Sequence, residues 1–252
     1  MLVLALIVCV PAHYAWRAVR YGSPIPMLYL RLAARICGAR LTSFGRHEKR
    51  NVIYIANHVS WLDILVLAGR TGCAFVAKAE LAKVPVVGWL AGLNRTIFVS
   101  REARMAVGEQ IAALRTALLD AWSVTIFPEG TTTDNKSLLP FKTSMLRALE
   151  PPPEGLLIQP LVLDYGAVGE WIGWIGVEGG LNNAKRVLAR RGSFPVAVHY
   201  LEPFDPRPYA DRKGMAGEAR RRIEAKLTEL LGHPPRPFAY EVGPVRYVPP
   251  QG

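Results

Sequence analysis

Val52-Ile53-Tyr54-Ile55-Ala56-Asn57-His58-Val59-Ser60-Trp61-Leu62-Asp63 is an apolar run that breaks into a polar turn and resumes as a second apolar segment. Successive apolar residues with no polar alternation suit a strand covered on both faces. Ser60 stands where an N-cap would open a helix over residues 61–67, with Asp63 in its first turn. Short apolar runs of the same kind recur at residues 74–76, 96–99, 124–127, 156–165 and 195–201. Helical patterns alternate with them. Val107, Ile111, Leu114 and Leu118 recur at helical spacing, with Ser100 as the expected N-cap. Ala216, Ala219, Ile223, Leu227 and Leu230 repeat that spacing, and Gly232 with Pro234 ends it. Strands alternating with helices predict an α/β domain. The proline-rich stretches at 151–153, 203–208 and after Gly232 read as loops within or after that domain.

The 252 residues carry 31 Lys and Arg against 20 Asp and Glu, a formal charge of +11 that favours an anionic partner. Nucleic acid, acidic lipid headgroups and an acidic carrier all meet that description. Cys9, Cys37 and Cys73 stand far apart in apolar surroundings, with no CxxC or Cys/His pattern. Neither a disulfide framework nor a metal site is expected, and a reducing compartment fits.

Residues 1–16 hold no charge and are interrupted by Pro11; sixteen helical residues would rise about 24 Å, short of the roughly 30 Å of a bilayer core. They lack the basic leader and the small-residue cleavage site of a signal peptide. Residues 17–50 contain eight Lys or Arg and one acid, with Arg31 and Arg35 on one helical face among Met27, Leu28, Leu30, Leu32, Ile36 and Leu41. An apolar helix, a Gly22-Ser23-Pro24 break and a basic amphipathic helix describe a hairpin in or on an anionic membrane surface. The alternative is a core helix beside a solvated basic face. With no helix-turn-helix, zinc-finger or RNP pattern, nucleic acid is not expected as the partner. The expected division is a membrane-associated helical segment at 1–40 and a catalytic domain at 41–252.

His58 and Asp63 are five apart, about 140° around a continuous helix, so they meet only if His58 sits in the turn before it. An imidazole bonded to a carboxylate is held in one tautomer and can take a proton from a hydroxyl. Ser60 suits a cap better than a nucleophile, and no GxSxG elbow occurs. The hydroxyl is therefore expected on the substrate. Taken alone, the same residues are also a loose capping box, a purely structural reading.

Asn57-His58 with Asp63 resembles the NHx4D motif of the glycerolipid acyltransferases, the group that includes the 1-acylglycerol-3-phosphate acyltransferases. Phe127-Pro128-Glu129-Gly130-Thr131 is similar to that family's FPEGT motif. Residues 78–101, with Pro85, Gly88, Trp89, Phe98 and Arg101, resemble the segment between them. Leu139-Pro140-Phe141-Lys142 is similar to a PFK element, and Ile158-Gln159-Pro160-Leu161-Val162 to the apolar proline block after it. The resemblance implies a mixed central sheet covered by helices behind the membrane-associated hairpin. It implies His58 as general base and Asp63 as its orienting partner, with direct attack of a lysolipid hydroxyl on an acyl thioester. Arg101, Glu129, Gly130 and Thr131 would bind the acceptor, with Lys142 as a second cation. No metal or cofactor is implied beyond acyl-CoA or acyl carrier protein as co-substrate, and the place of work would be the cytoplasmic face of a membrane.

Many glycerol-phosphate members carry arginine after the first threonine, where this chain has Thr132. The threonine-rich form looks more like the branch that acylates lyso-ornithine lipids. The acceptor expected first is 1-acyl-sn-glycerol-3-phosphate, giving phosphatidic acid; lyso-ornithine lipid is the alternative. A non-catalytic lipid-binding protein and a hydrolase using His58 on water are the readings from other classes.

Overall fold

A computed structural model of the chain describes residues 1–20, 23–78, 82–83, 87–99, 116 and 123–240. Val52–Ala56 forms β2 at the centre of a seven-stranded sheet. The other strands are β1 (Ala39–Phe44), β3 (Ala74–Lys78), β4 (Ile97–Val99), β5 (Ser123–Ile126), β6 (Leu157–Asp164) and β7 (Phe194–Tyr200), and the spatial order is β1-β7-β6-β2-β5-β3-β4. β6, β2, β5, β3 and β4 run parallel; β7 is antiparallel to β6, and β1 is parallel to β7. The sheet is mixed, as the family resemblance implied.

The unbroken apolarity of β2 has a direct cause. Val52, Tyr54 and Ala56 enter one core, and Ile53 and Ile55 enter the other. The first core lies under α2 (Ile25–Ile36) and α3 (Leu62–Thr71), through Ala34, Leu62, Val66 and Leu67. The short helix α5 (Gly169–Ile172) and α6 (Gly180–Ala189) add Ile172 and Val187 to it. The second core lies under α7 (Arg212–Leu231), through Met215, Ala219, Ile223 and Leu227, and under a 3-10 segment, Thr143–Leu149. α7 begins before its apolar pattern because the Asp211 carboxylate caps it, accepting from the backbone N–H groups of Lys213 and Gly214. Gly232, at φ +75°, ends it as expected. Helix α4 (Val87–Leu93) precedes β4. The helix expected over 107–118 and its Ser100 cap lie outside the described residues.

β1 escaped the sequence reading, which ran the basic helical stretch through Leu41. Of β1 only Ala39 is buried, so an edge strand with polar faces leaves no apolar alternation to read. Gly38, at φ +95°, turns the chain out of α2 and into β1.

α1 (Leu2–Val19) is an 18-residue helix with Pro11 inside it, and His13 is its only buried residue. It is long and apolar enough to cross a membrane by length and composition. α2 packs closely on α3. A Cβ on Gly69 would lie 2.6 Å from the Arg31 nitrogen, and the Arg31 Nε donates to the Gly69 carbonyl at 2.8 Å. Arg31, expected with Arg35 on a membrane-facing surface, is thus engaged by α3.

Gly69→Val should lower stability by about 1–3 kcal/mol or more, because the added atoms overlap backbone that cannot swing aside. Gly92→Ala, in α4 where a Cβ meets nothing within 4 Å, should be neutral or stabilising by up to about 1 kcal/mol. Urea unfolding of the two variants side by side checks the contrast.

Candidate active site

β2, β5 and β6 are neighbours and parallel, so their C-terminal ends open on the same edge of the sheet. In open α/β sheets that edge is where ligands bind. His58 follows β2, the Phe127–Glu129 turn follows β5, and Tyr165 follows β6.

Asn57 prepares the turn. Its side-chain amide donates to the Leu163 carbonyl at 2.9 Å, and its side-chain oxygen accepts from the Leu163 N–H at 2.8 Å. The side chain imitates a further rung of the β2–β6 ladder, which frees the backbone to leave the sheet. Asp63 then gathers the turn around its carboxylate. Oδ2 accepts from His58 Nδ1 at 2.7 Å, Val59 N–H at 2.8 Å and Ser60 N–H at 3.0 Å; Oδ1 accepts the Tyr165 hydroxyl at 2.5 Å. Asp63 has no exposed surface. Ser60 is not the expected N-cap: α3 starts one residue later, with Trp61 at the cap position and no side-chain cap bond, and the Ser60 Oγ accepts only a long bond from Leu62 N–H at 3.4 Å. The capping reading and the base-orienting reading describe one carboxylate.

His58 lies flat on Phe127, with ring centroids 4.0 Å apart and planes 15° apart, and Phe127 is itself parallel to Phe75. The side chain is 19% exposed. With Nδ1 donating to Asp63, the other nitrogen, Nε2, is an acceptor and can take a proton. Tyr165 is fully buried, and burial together with the Asp63 charge pushes its phenol upward, so it remains a donor.

The second motif is tied to the first from below. Glu129 is buried; Oε1 accepts from His58 N–H at 2.9 Å, and Oε2 accepts from Leu139 N–H at 2.8 Å. Burial pushes its carboxyl up to about 8, against the opposing pull of those two bonds and of Arg220. Glu129 therefore forms the floor under His58, where the resemblance implied a direct contact with acceptor. Gly130, at φ +70°, and Thr131 are partly exposed at the rim. Thr133 donates to the His58 carbonyl twice, from its N–H at 2.7 Å and its hydroxyl at 3.0 Å. Lys142 bonds through its backbone N–H to the Pro128 carbonyl at 2.8 Å, and the residue is exposed. Arg101 lies outside the described residues. Among those described, no group of three His, Cys, Asp or Glu side chains is placed to hold a metal ion.

Thr132 is buried, and its hydroxyl donates to the Trp174 carbonyl. Trp174 N–H in turn donates to the Val59 carbonyl at 3.1 Å, and Trp61 Nε1 donates to the Asn183 side chain at 3.0 Å. The stretch from α5 to α6 is thus fastened to both turns. Tyr165, Trp174 and Asn183 were not read from sequence as part of the site. The one available signal was Tyr165 at the end of a strand parallel to β2, which becomes informative only once strand order is known.

A family profile described as Acyltransferase matches residues 41–164, the segment that holds both turns. Lyso-ornithine lipid O-acyltransferase of Brucella abortus is 31% identical over 239 residues, 88% of this chain and 89% of that protein. The enzyme of the same name from Rhizobium meliloti is 33% identical, over 92% of this chain and 85% of its own. A 1-acyl-sn-glycerol-3-phosphate acyltransferase of Neisseria gonorrhoeae is 32% identical over 117 residues, 46% of each chain. The crystal structure of the 1-acyl-sn-glycerophosphate (LPA) acyltransferase of Thermotoga maritima shares the fold, with a TM-score of 0.62 over 92% of both chains at 22% identity. The His58–Asp63 turn over the Glu129 floor thus lies within a matched segment, on a chain that the Brucella and Rhizobium enzymes match at 31% and 33% identity over 88% and 92% of its length: it belongs to the acyltransferase family and is an O-acyltransferase.

Proposed function

We propose that this enzyme transfers a fatty acyl group from an acyl thioester to the free hydroxyl of a lysolipid, with lyso-ornithine lipid as its acceptor. The observation that carries the acceptor is coverage: the relatives that match most of both chains act, by name, on lyso-ornithine lipid. The Neisseria enzyme named for 1-acyl-sn-glycerol-3-phosphate matches over less than half of this chain, and that local likeness supports lysophosphatidate as the second reading. Thr132 supports the first, since a buried threonine bonded to Trp174 offers no cation to a phosphomonoester.

In this reading His58 Nε2 takes the hydroxyl proton as the acceptor oxygen attacks the thioester carbonyl carbon. Asp63 stabilises the imidazolium that forms. The tetrahedral intermediate collapses, the carbon–sulfur bond breaks, and the proton on His58 passes to the departing thiolate. Asp63 and Tyr165 keep the ring oriented throughout. Arg101, Gly130, Thr131 and Lys142 are assigned to binding the acceptor headgroup by their motifs, and Glu129 holds the His58 backbone in place. The donor is a thioester of coenzyme A or of an acyl carrier protein; the charge of +11 suits the phosphates of one and the acidic surface of the other. The enzyme works at the cytoplasmic face of a membrane, supported by the exposed apolar α1 and the basic run after it.

Purified protein given labelled acyl thioester with lyso-ornithine lipid and lysophosphatidate in parallel should acylate the former with the higher kcat/KM; faster phosphatidate formation reverses the acceptor assignment, and thioester loss with neither product indicates hydrolysis. His58→Ala should lower kcat by about 10²–10⁴-fold, with circular dichroism showing that the variant stays folded. Tyr165→Phe removes one donor from Asp63 and should lower kcat about 5–30-fold with little change in KM.

Glu129 adds a pH signature. Its folded value of about 8 lies above the ordinary 4.5, so between those values the folded protein holds a proton that the unfolded chain has released. Stability from this group is present below that window and is lost as pH rises through it. Glu129→Gln cannot titrate. The stability of the native protein minus that of the variant, from urea melts across the pH range, should fall as pH rises through the window; a flat difference contradicts a buried neutral carboxyl.

A further inference from the structure

α6 has two unlike faces. Asn183 and Val187 point inward, Asn183 to Trp61 and to the Gly173 carbonyl, Val187 into the core. Leu181, Lys185 and Leu188, spaced four and three apart, share the outward face. Leu181 is 69% exposed and Leu188 49%, and Val177 just before the helix is 88% exposed. Apolar side chains this open on one short segment call for a covering partner.

The charges say which. Lys185 and Arg191 are exposed and form no ion pair among the described residues. Arg186 and Arg190 lie over the Trp171 ring at 5.3 and 5.8 Å, so the tryptophan at the edge of the patch is framed by guanidinium groups. Leucines at the centre, a tryptophan at the margin and cations around them match the headgroup layer of an anionic bilayer. The patch also lies on the same side of the sheet as the N-terminal helices. α2, α3, α6 and Leu2 of α1 all cover the same face of the sheet. α7, on the opposite face, presents none of the large exposed apolar residues and is laced by ion pairs such as Arg221–Glu218 and Lys226–Glu229.

We propose that the outward face of α6, with Val177 and Trp171, is a second membrane contact that lays Leu181 and Leu188 into the headgroup layer of an anionic bilayer. This rests on the membrane-associated reading above and extends it from α1 to the body of the enzyme. Because Trp61 and Trp174 fasten this segment to the His58 turn, docking it sets the catalytic turn at a fixed height over the lipid surface. A lysolipid hydroxyl then reaches His58 with its acyl chain still in the bilayer.

The full chain carrying Cys9→Ser, with Cys37 and Cys73 buried, accepts a polarity-sensitive thiol dye at Leu181→Cys or, as a control on α7, at Ala225→Cys. On phosphatidylcholine–phosphatidylglycerol vesicles doped with a nitroxide headgroup lipid, the dye at 181 should shift to the blue and be quenched, and the dye at 225 should not. Adding Lys185→Gln and Arg191→Gln should raise the lipid concentration needed for half-maximal quenching by about 30-fold. A dye at 181 that stays in water while the chain floats with the vesicles overturns the contact. So does equal quenching at 225, and an unmoved midpoint in the double variant overturns its electrostatic part. The readout needs no turnover, so an enzyme active on detergent-dispersed lysolipid with an unquenched 181 would lose this contact and keep its assigned reaction.

Discussion

A carboxylate with no exposed surface is costly unless its lone pairs are occupied, and Asp63 meets that condition with four donors, three from the turn before it and one from the end of β6. Two are the backbone N–H groups of Val59 and Ser60, which forces the turn between β2 and α3 into one shape. One is the His58 ring, which that shape delivers. The fourth is the Tyr165 hydroxyl, which requires β6 to lie beside β2. The placement of the His58 ring is thus a by-product of satisfying a buried charge. Loss of any donor would disturb the solvation of that charge before it disturbed the histidine itself.

Glu129 repeats the device one layer down. Its two oxygens hold the N–H groups of His58 and Leu139, so the turns after β2 and β5 share an acceptor. The two carboxyls differ in solvation: Asp63 has four donors, two of them side-chain groups, whereas Glu129 has two backbone donors in a fully buried place, and burial drives it toward the neutral form. A neutral carboxyl accepts those bonds without setting a second full charge beside Asp63. Thr133 closes the arrangement from above by donating twice to the His58 carbonyl.

Much of this was legible in the sequence for a simple reason: buried parallel strands leave unbroken apolar runs and amphipathic helices leave periodic ones, and β2, β6 and α7 follow these closely. The His58–Asp63 contact was legible because the spacing fails on a continuous helix and works only with a turn. What stayed hidden depends on neighbours remote in sequence. β1 buries a single residue, so its strand character comes from pairing with β7, some 150 residues on. Which side of α6 faces inward is set by Asn183, whose partner Trp61 is 122 residues away. Tyr165 and Asp63 are 102 residues apart, and only the adjacency of β2 and β6 brings them together. Glu129 illustrates the opposite error, since a motif marks its importance and not whether it faces the substrate or the backbone.

The residue after Thr131 then takes on a different meaning. Thr132 is 8% exposed, with its hydroxyl on the Trp174 carbonyl, so it holds the α5–α6 stretch against the His58 turn. Arginine at this place could not stay there: its longer charged side chain would have to leave the buried position for solvent or an anion. In doing so it would release Trp174, whose N–H steadies Val59, and loosen the path to Asn183 and Trp61. A threonine here and a tightly docked α5–α6 stretch are therefore one physical choice, and an arginine with a displaced stretch is the other. Residue 132 thus bears on the site through the whole segment that it fastens.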